Sequence, residues 1–485
     1  MQEIFQSING IFSFIGPLSD FLWDFPTNFE WYAGIPVLGN FSFAIILLLG
    51  SGLYFSFRLG FVQVRGFKKG LGIMTEKRTI DTGISPLAAF LLSSAMRVGP
   101  GNILGVTGAI AVGGPGAVFW MWISALLGMC TKFSEVVLAV KYRERNAAGD
   151  WVGGPMYYIR NGLGKSWAWL GSLFAVLGAL AAYGIGNMTQ VNTIAGTINT
   201  AISGVVQTTP EQQKVIALVI GVIVAVLVFF ILVGGIQRLG DVCSMIVPVM
   251  AVVYVISSLI VIFANVSEIP TAFKAIFVGA FNPSAVAGGL AGVGIKMAIT
   301  KGVGRGIFSN EAGLGSAPIA HAAADVDHPV KQGIYGVFEV FMDTIVVCSM
   351  TALVVLCGVG VQNIEYGKDI AANLTIMGFQ SVFSGALPGI LVAACLTLFA
   401  LTTILAWGLY GARCCEYLFG AKVAKIYQVL FSLFLLVGAT MELDLAWAIA
   451  DTLNGLMALP NLVALIALSP VVAKLCKDYF ASVKK

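Results

Sequence analysis

Runs of apolar residues, each about as long as a bilayer-spanning helix, recur along most of the chain and are separated by short polar loops. A helix needs roughly 20 apolar residues to cross the hydrocarbon core of a membrane. We count eleven such runs and predict an all-α polytopic membrane protein with eleven transmembrane helices. The predicted spans are residues 35–57, 85–112, 116–140, 168–199, 213–234, 242–265, 285–322, 333–360, 386–412, 420–439 and 444–468.

The second predicted span is interrupted by the sequence VGPGN at residues 98–102. Proline lacks an N–H and clashes with the preceding helical turn, and glycine favours irregular backbone. A spanning helix tolerates such a break only where the freed backbone groups meet protein, water or a ligand. We therefore predict a discontinuous helix. An unpaired charge would be costly at this depth, so we expect Arg97 to pair with an acid, Glu311 being the candidate, or to line a hydrated path.

A second interruption is predicted in the seventh span, at residues 300–304, where the sequence reads TKGVG. When the first span is set aside as an accessory helix, each break falls in the first helix of a group of five. Because five is odd, the two groups must have opposite orientations. Paired breaks in corresponding helices of inverted halves are typical of secondary transporters, with a binding site near the bilayer midplane.

This inverted 5+5 repeat divides the chain into four parts. Residues 1–84 are predicted to form an outer segment, the accessory helix and a basic inner linker, and residues 469–485 a cytoplasmic tail. The two repeats are predicted to cover residues 85–265 and 285–468. Positive charges alternate between rich and poor loops, which places the N-terminus outside and the C-terminus in the cytoplasm of a plasma (inner) membrane.

Composition narrows the functional classes. The chain is 58% hydrophobic, and its basic residues lie in short loops, which gives no sign of a nucleic-acid partner. The eight cysteines lack metal-binding spacing and are interpreted as packing residues. No phosphate loop or nucleophile–base pair is visible, so we expect neither an enzyme nor a prosthetic group. His321 and His328 are predicted to lie at the membrane interface.

Polar side chains inside the apolar spans allow two interpretations. Lys132 and Glu135 lie three residues apart on one helix face, where they are expected to form a structural pair. Asn187, Gln190 and Asn192 lie in the fourth span, and amides in such spans often join neighbouring helices. The alternative is that Asn187 or Gln190 faces a cavity.

Three sequence blocks resemble a known family. They are GGPGAVFWMW at residues 113–122, GGP at 153–155 and FSNEAGLGS at 308–316. In these blocks, and over nearly its whole length, the chain resembles the sodium:alanine (alanine or glycine:cation) symporter family. The resemblance implies the inverted-repeat fold of the leucine-transporter type with one extra N-terminal helix. It also implies import of small neutral amino acids by cation symport, most simply with sodium; proton coupling and a channel are the alternatives.

An amino-acid substrate is a zwitterion, so the site must satisfy both of its charges away from water. The free N–H groups of a helix N-terminus suit a carboxylate, and freed carbonyls suit the ammonium group. The resemblance matches VGPGN to the first broken helix of the family fold, whose exposed amides hold the carboxylate. The predicted substrate-binding residues are Gly99, Gly101, Asn102, Gln190, Thr300, Gly302, Gly304 and Trp407.

Sodium is a hard cation that prefers oxygen ligands. The resemblance implies one sodium site beside the substrate and a second that is completed by a pair of hydroxyl residues, Thr402 and Thr403. A hydroxyl pair in a membrane helix usually bonds back to its own helix, so the sodium role rests on the resemblance. The predicted sodium ligands are Ala95, Val98, Asn102, Thr300, Asp343, Phe399, Thr402 and Thr403.

Trp407 follows Thr403 by one helical turn and therefore lies on the same helix face. If Thr403 faces the central site, Trp407 faces it too. An indole there would leave room for only a small side chain, which agrees with an alanine or glycine substrate. The alternative is that Trp407 packs between helices or near the inner interface.

Overall fold

The structure is a computed structural model that describes residues 14–74, 84–97, 99–286, 294–367 and 371–482. Most of this backbone is helical, and the described part contains eight helices that are long and apolar enough to cross a membrane. A helical, multi-pass membrane protein is therefore confirmed. The candidate spans are Gly116–Lys141, Lys165–Ser203, Pro210–Val233, Gly235–Ala264, Pro329–Asn363, Leu387–Phe419, Ala421–Thr440 and Leu445–Ala467.

The first helix that the structure describes, Ile15–Asp24, lies at one end of the helix bundle, which we call the N-terminal face. Trp23 anchors the first helix there, because its indole Nε1 donates a hydrogen bond to the carbonyl of Asp451, at 3.1 Å. The accessory helix begins later than predicted, where Ser42 caps its first turn. The N-terminal helices are α1 (Ile15–Asp24), α2 (Glu30–Ala33), α3 (Phe43–Arg58) and α4 (Val62–Met74).

The next part of the chain contains the first broken helix. Its two halves, α5 and α6, are separated by residues 98–100 and by a π-helical turn at Gly101–Gly105. Further π-helical turns lie at Ile159–Leu163 and Gly184–Met188, and a short antiparallel pair of strands follows α7. The elements are α5 (Pro86–Arg97), α6 (Val106–Gly113), α7 (Gly116–Lys141), β1 (Glu144–Arg145), β2 (Trp151–Val152), α8 (Pro155–Tyr158), α9 (Ala168–Tyr183), α10 (Thr189–Ser203), α11 (Pro210–Val233) and α12 (Gly235–Ala264).

The remaining part contains the second broken helix, formed by α15 and α16. Two short helices, α13 and α19, were not predicted as elements; α13 packs against α7, and α19 packs against α6. A π-helical segment, Phe341–Cys348, continues α17 into α18, and another, Leu356–Gly360, follows α18. The elements are α13 (Ile269–Phe281), α14 (Pro283–Val286), α15 (Ile295–Asn310), α16 (Ala317–His321), α17 (Pro329–Val340), α18 (Ser349–Val355), α19 (Ala371–Gln380), α20 (Leu387–Phe419), α21 (Ala421–Thr440), α22 (Leu443–Ala467) and α23 (Ser469–Ser482).

The predicted position of the second break was wrong. Helix α15 runs without interruption through residues 300–304 and ends only at Asn310. The glycines in this stretch serve close packing: a Cβ added at Gly302 would lie 2.3 Å from the carbonyl oxygen of Ala117, and one at Gly306 would lie 2.4 Å from the Ser124 hydroxyl. Small residues in membrane helices commonly allow this kind of close approach. The chain breaks at residues 311–316 instead.

Helix α7 lies at the centre of the bundle and packs against α3, α13, α15 and α17. Its first turn is so close to α13 that a Cβ on Gly116 would lie 2.1 Å from the carbonyl carbon of Gly279. Its second half is almost completely buried, including Lys132 and Glu135. This helix therefore carries charged side chains into the middle of the molecule, next to the second break.

Candidate functional site

The first break is stabilised by a side chain from its own segment. The backbone N–H of Gly99 donates to Oδ1 of Asn102, at 2.8 Å, and the N–H of Asn102 donates to the carbonyl of Gly99, at 3.0 Å. Asn102 thus satisfies a backbone group that the interrupted helix leaves without a helical partner. Ala95 lies in the last turns of α5, and Val98 lies outside the described residues.

The second break is a run of left-handed backbone. Glu311, Gly313 and Gly315 have φ values of 53°, 94° and 82°. A positive φ is unusual for a residue with a Cβ, and such strained positions cluster at functional sites. Glu311 still donates its N–H to the carbonyl of Ile307, at 2.8 Å, so it closes the last turn of α15.

Charged side chains of α7 satisfy the backbone of the second break. Lys132 Nζ donates to the carbonyl of Glu311, at 2.8 Å, and Glu135 Oε1 accepts from the N–H of Gly315, at 3.0 Å. Nδ2 of Asn461 bridges Glu135 Oε1 and the carbonyl of Gly313, at 2.6 and 2.8 Å. Lys132 and Glu135 are themselves 3.5 Å apart. The predicted pair is confirmed, and it holds the break in place.

A narrow cavity lies between the two breaks. It brings together five predicted residues, namely Gly99, Gly101, Gln190, Thr403 and Trp407. Sequence reasoning assigned no site role to Ile185, Phe308 and Ser309, which also line it. The complete lining consists of Arg97, Gly99, Pro100, Gly101, Ile185, Gln190, Phe308, Ser309, Glu311, Thr403 and Trp407.

Gln190 presents a buried acceptor to this cavity. The π-helical turn before α10 leaves the Ile185 carbonyl free to accept from Nε2 of Gln190, at 2.7 Å. That bond fixes the amide, and Oε1 of Gln190 then has no donor among the described residues. Asn187 and Asn192 instead donate to carbonyls of α21 and its end. Gln190 therefore takes the cavity role, and the other two amides join helices.

A polar cluster adjoins the cavity, and it contains Asn102 and Asp343, both predicted as sodium ligands. Nδ2 of Asn102 donates to Oδ1 of Asp343, at 2.7 Å, and to Oγ of Ser309, at 3.0 Å. The Ser309 hydroxyl donates to Asp343 Oδ1, at 3.0 Å, and the Thr344 hydroxyl donates to Asp343 Oδ2, at 2.7 Å. All four side chains are buried. The Asp343 carboxylate and the two hydroxyl oxygens are ligands that suit a hard cation, whereas Asn102 presents its Nδ2 to them and its Oδ1 to Gly99.

Three predicted residues lie away from this cluster. Thr300 and Gly304 line a separate cavity at the N-terminal face, together with residues of α1 and α22. Gly302 faces α7, as described above. Their predicted roles depended on a helix break that this stretch does not contain. Ser309, nine residues further along α15, lies in the position that was expected for Thr300.

The hydroxyls of Thr402 and Thr403 both donate to the carbonyl of Phe399, at 3.0 and 2.9 Å. This is the back-bonding that hydroxyl residues in helices commonly show. Thr403 lines the cavity, whereas Thr402 is buried near Met250. A hydroxyl that donates its proton keeps its lone pairs, so each of the two predicted oxygen atoms retains its capacity to coordinate a cation.

Trp407 lines the cavity, as its spacing from Thr403 predicts, and is only 1% exposed. Its Nε1 donates to Oε1 of Glu311, at 3.2 Å. Gly186 provides the space for this side chain, because a Cβ added there would lie 2.0 Å from Cβ of Trp407. The indole is thus enclosed between the π-helical turn and the second break.

An ion-pair network lies on the other side of Glu311. Arg97 Nη1 lies 2.6 Å from Glu339 Oε2, and Arg97 Nη2 lies 3.9 Å from Glu311 Oε2, so the expected partner is present but Glu339 is closer. Arg97 Nε also donates to the carbonyl of Asn310, at 2.9 Å. The interfacial prediction for His321 was wrong: it is fully buried, and its Nε2 lies 2.9 Å from Glu339 Oε1.

These features define a multi-pass membrane protein built around two discontinuous helices, an arrangement used by membrane transporters. The sequence model of the sodium:alanine symporter family matches residues 33–485, and the chain belongs to that family. Its relatives are named as transporters, not as enzymes, and the family resemblance is thereby confirmed.

Two relatives and one solved structure illustrate this membership. The chain is 42% identical to the sodium/alanine symporter AgcS of Methanococcus maripaludis, over 90% of this chain and 94% of the relative. It is 35% identical to a probable sodium/glutamine symporter, GlnT, of Bacillus subtilis, over 99% and 91%. The crystal structure of MhsT in complex with L-phenylalanine has a TM-score of 0.58 at 12% identity, and the match covers 82% of this chain and 99% of that one. This last similarity concerns the fold alone.

Proposed function

We propose that the protein is a secondary active transporter that imports small neutral amino acids, alanine and glycine above all, together with sodium by alternating access. The observation that carries the proposal is the cavity between the two breaks, which combines irregular backbone at Gly99 and Gly101 with Oε1 of Gln190, an acceptor that has no donor among the described residues. A zwitterion requires a positive environment for its carboxylate and an acceptor for its ammonium group; the start of a half-helix suits the first and the Gln190 oxygen the second. The family membership supports sodium and alanine as the first candidates.

In the proposed complex, the substrate carboxylate lies against the backbone at Gly99 and Gly101, at the start of the second half-helix, whose partial positive charge attracts an anion; the Gly99 N–H itself is bonded to Asn102. The ammonium group donates to Oε1 of Gln190, which lacks a donor among the described side chains. The substrate side chain then faces Ile185, Phe308 and Trp407. Trp407 forms part of the wall of this space, so it limits substrate size.

Two sodium sites are proposed. The first uses oxygens of Ser309, Asp343 and Thr344, which already lie together next to the cavity, and Oδ1 of Asn102, which accepts from the Gly99 N–H in this structure. The second uses the hydroxyls of Thr402 and Thr403, with carbonyls of Phe399 and of the end of α5, near Ala95. A similar role for Val98 concerns a residue outside the described part of the chain.

The energetics are sufficient for accumulation. One sodium ion that moves inward through 100 mV releases about 2.3 kcal/mol. A tenfold concentration gradient adds about 1.4 kcal/mol, and the sum supports roughly 500-fold accumulation of a neutral solute per coupled ion.

The proposed topology has eleven transmembrane helices, in which α3 precedes two inverted groups of five. These groups are residues 85–265 and 285–468, with segments 1–84 and 469–485 outside the repeat. The first and second breaks would then occupy equivalent positions in the two halves. The N-terminal face lies outside the cell and the C-terminus lies in the cytoplasm, as the positive-inside rule requires.

The test is uptake of labelled alanine into proteoliposomes that contain the purified protein. We expect accumulation with an inward sodium gradient, no accumulation with choline in its place, and exchange of labelled for unlabelled alanine at equal concentrations. Uptake driven by a pH gradient and indifferent to sodium would replace sodium with protons in the proposal. Flux without exchange would indicate a channel and contradict it.

A further inference from the structure

The two oxygens of the Glu311 carboxylate face different parts of the molecule. Oε1 accepts the indole N–H of Trp407, at 3.2 Å, in the cavity wall. Oε2 accepts the hydroxyl of Ser316, at 2.5 Å, and lies 3.9 Å from Nη2 of Arg97. One buried side chain therefore connects the wall of the proposed substrate cavity to the second break.

The backbone of Glu311 cannot shift easily to follow a moving indole. Its N–H is bonded to Ile307, its carbonyl accepts from Lys132, and its left-handed conformation sits between α15 and the glycines of the break. Positions with this conformation persist only where the surroundings fix them on several sides. The carboxylate is consequently a fixed acceptor.

The indole of Trp407, in turn, depends on such an acceptor. A tryptophan side chain has a single N–H donor and no acceptor, and a buried donor without a partner is costly. On its other side, the Trp407 side chain packs against Gly186. Any larger residue at position 186 would occupy the space that the indole needs. The hydrogen bond to Glu311 fixes the rotation of the ring in this slot, across the cavity.

We propose that Glu311 is a positioning residue for substrate size: through its hydrogen bond it holds Trp407 across the cavity and thereby excludes branched and longer side chains. The inference rests on the proposed function, since an amino acid must occupy the cavity for size to matter. It adds a specificity determinant that lies behind the cavity wall and acts through another residue. The indole needs an acceptor for its N–H. A neutral amide at position 311 should therefore hold the indole in place, whereas an alkyl group should not.

The experiment compares Glu311→Gln, Glu311→Leu, Trp407→Phe and the double variant Glu311→Leu with Trp407→Phe. Competition of labelled alanine uptake by glycine, alanine, valine and leucine gives the ratio of leucine to alanine affinity. We expect Glu311→Leu and Trp407→Phe each to raise this ratio about tenfold, the effect of losing one hydrogen bond to a charged group. The double variant should match the single ones, because both changes remove the same bond. Glu311→Gln should retain the selectivity of the parent.

Tyr410→Phe is the matched control. Its ring packs against Trp407, with centroids 5.7 Å apart, and the substitution keeps that ring and the bond between Glu311 and Trp407. We expect no change in the ratio. A change in the maximal rate of any variant does not bear on selectivity. Selectivity is measured by the ratio of leucine affinity to alanine affinity.

Trp407→Phe leaves all buried charges in place, so it tests the inference even if Glu311→Leu does not fold. Ligand-induced shifts of the melting temperature in detergent, with alanine and with leucine, provide a readout that needs no transport. The inference is overturned if folded Glu311→Leu or Trp407→Phe rejects leucine as the parent does; the proposed function would then stand. Absence of amino-acid binding by the parent protein would instead contradict the proposed function.

Discussion

The two breaks at the centre of the bundle are built by different means. At the first break, the interruption comes from glycine and proline, and Asn102, three residues away, satisfies the amide of Gly99. At the second break, Glu311 and two glycines adopt left-handed backbone, and the orphaned groups are satisfied by Lys132 and Glu135, which lie far away in the sequence.

This difference shows that a helix break can be local or tertiary in origin. The first break contains both its cause and its stabilising group within one short segment. The second break requires α7 to be packed beside it, since the same residues without Lys132 and Glu135 would leave buried backbone groups without partners. The two breaks should therefore respond differently to substitutions at a distance.

The largest effect is expected at the second break. Lys132→Met removes the donor to Glu311 and leaves Glu135 as a buried charge without its partner, which typically costs about 3–5 kcal/mol. We expect a large loss of thermal stability or of folded protein, measured as monodisperse yield and melting temperature in detergent. As a control, Lys331→Met removes a more exposed lysine paired with Asp327 and should be nearly neutral. A Lys132→Met variant as stable as the parent would contradict the tertiary origin of this break.

An intermediate effect is expected at the first break. Asn102→Ala removes the acceptor for Gly99 and the donor to Asp343, each worth on the order of 1–3 kcal/mol when buried. If the two proposed sites are linked, the variant weakens alanine and sodium affinity together, because coupling between two ligands is reciprocal. The measurement is the apparent affinity for each in uptake assays. Normal sodium affinity combined with weakened alanine binding would separate the two sites.

A smaller effect is expected on α20, opposite the first break. Thr403→Val keeps the shape of the side chain and removes its oxygen, so a proposed sodium ligand is lost without a cavity. We expect the sodium concentration for half-maximal uptake to rise about tenfold, the effect of roughly 1.4 kcal/mol. An unchanged sodium requirement in a well-expressed variant would contradict a sodium role for this hydroxyl.

The smallest effect concerns the stretch in which the second break was predicted. Gly304 lies inside α15, where an added Cβ would meet open space. Gly304→Ala should therefore raise stability slightly, by about 0.4–1 kcal/mol, and leave alanine uptake intact. Gly302→Ala should destabilise the fold, because its Cβ would meet the Ala117 carbonyl. If Gly304→Ala folds normally but loses substrate binding, the original prediction of a substrate site at residues 300–304 would be supported instead.

Features of local origin could be predicted from the sequence, whereas features of tertiary origin could not. Apolar run length predicts membrane helices, and VGPGN carries its own break, so both could be recognised without tertiary information. Helix spacing also places Trp407 beside Thr403 and pairs Lys132 with Glu135. These features depend on residues within a few turns of one another.

Features that depend on distant partners could not be predicted in this way. In the sequence, the glycines of α15 suggest a helix break. In the structure, Gly302 and Gly306 instead allow α15 to pack closely against α7. His321 carries no local sign of its buried partner Glu339, and Ser309 gains its place only because α15 continues past the predicted break. Glu311 was recognised as a candidate partner of Arg97, but its bond to Trp407 joins residues from separate helices.

The ion pair between Arg97 and Glu339 also constrains how the protein is made. Arg97 enters the membrane early, whereas its closest acid belongs to a helix synthesised much later; at about 5–20 residues per second, roughly ten seconds or more separate the two. During that interval an arginine at the centre of a helix costs about 2.5–3.5 kcal/mol to insert. The nascent first half must therefore keep Arg97 in contact with water or the insertion machinery until the second half arrives. The two halves of the protein can consequently assemble only after most of the nascent chain has left the ribosome.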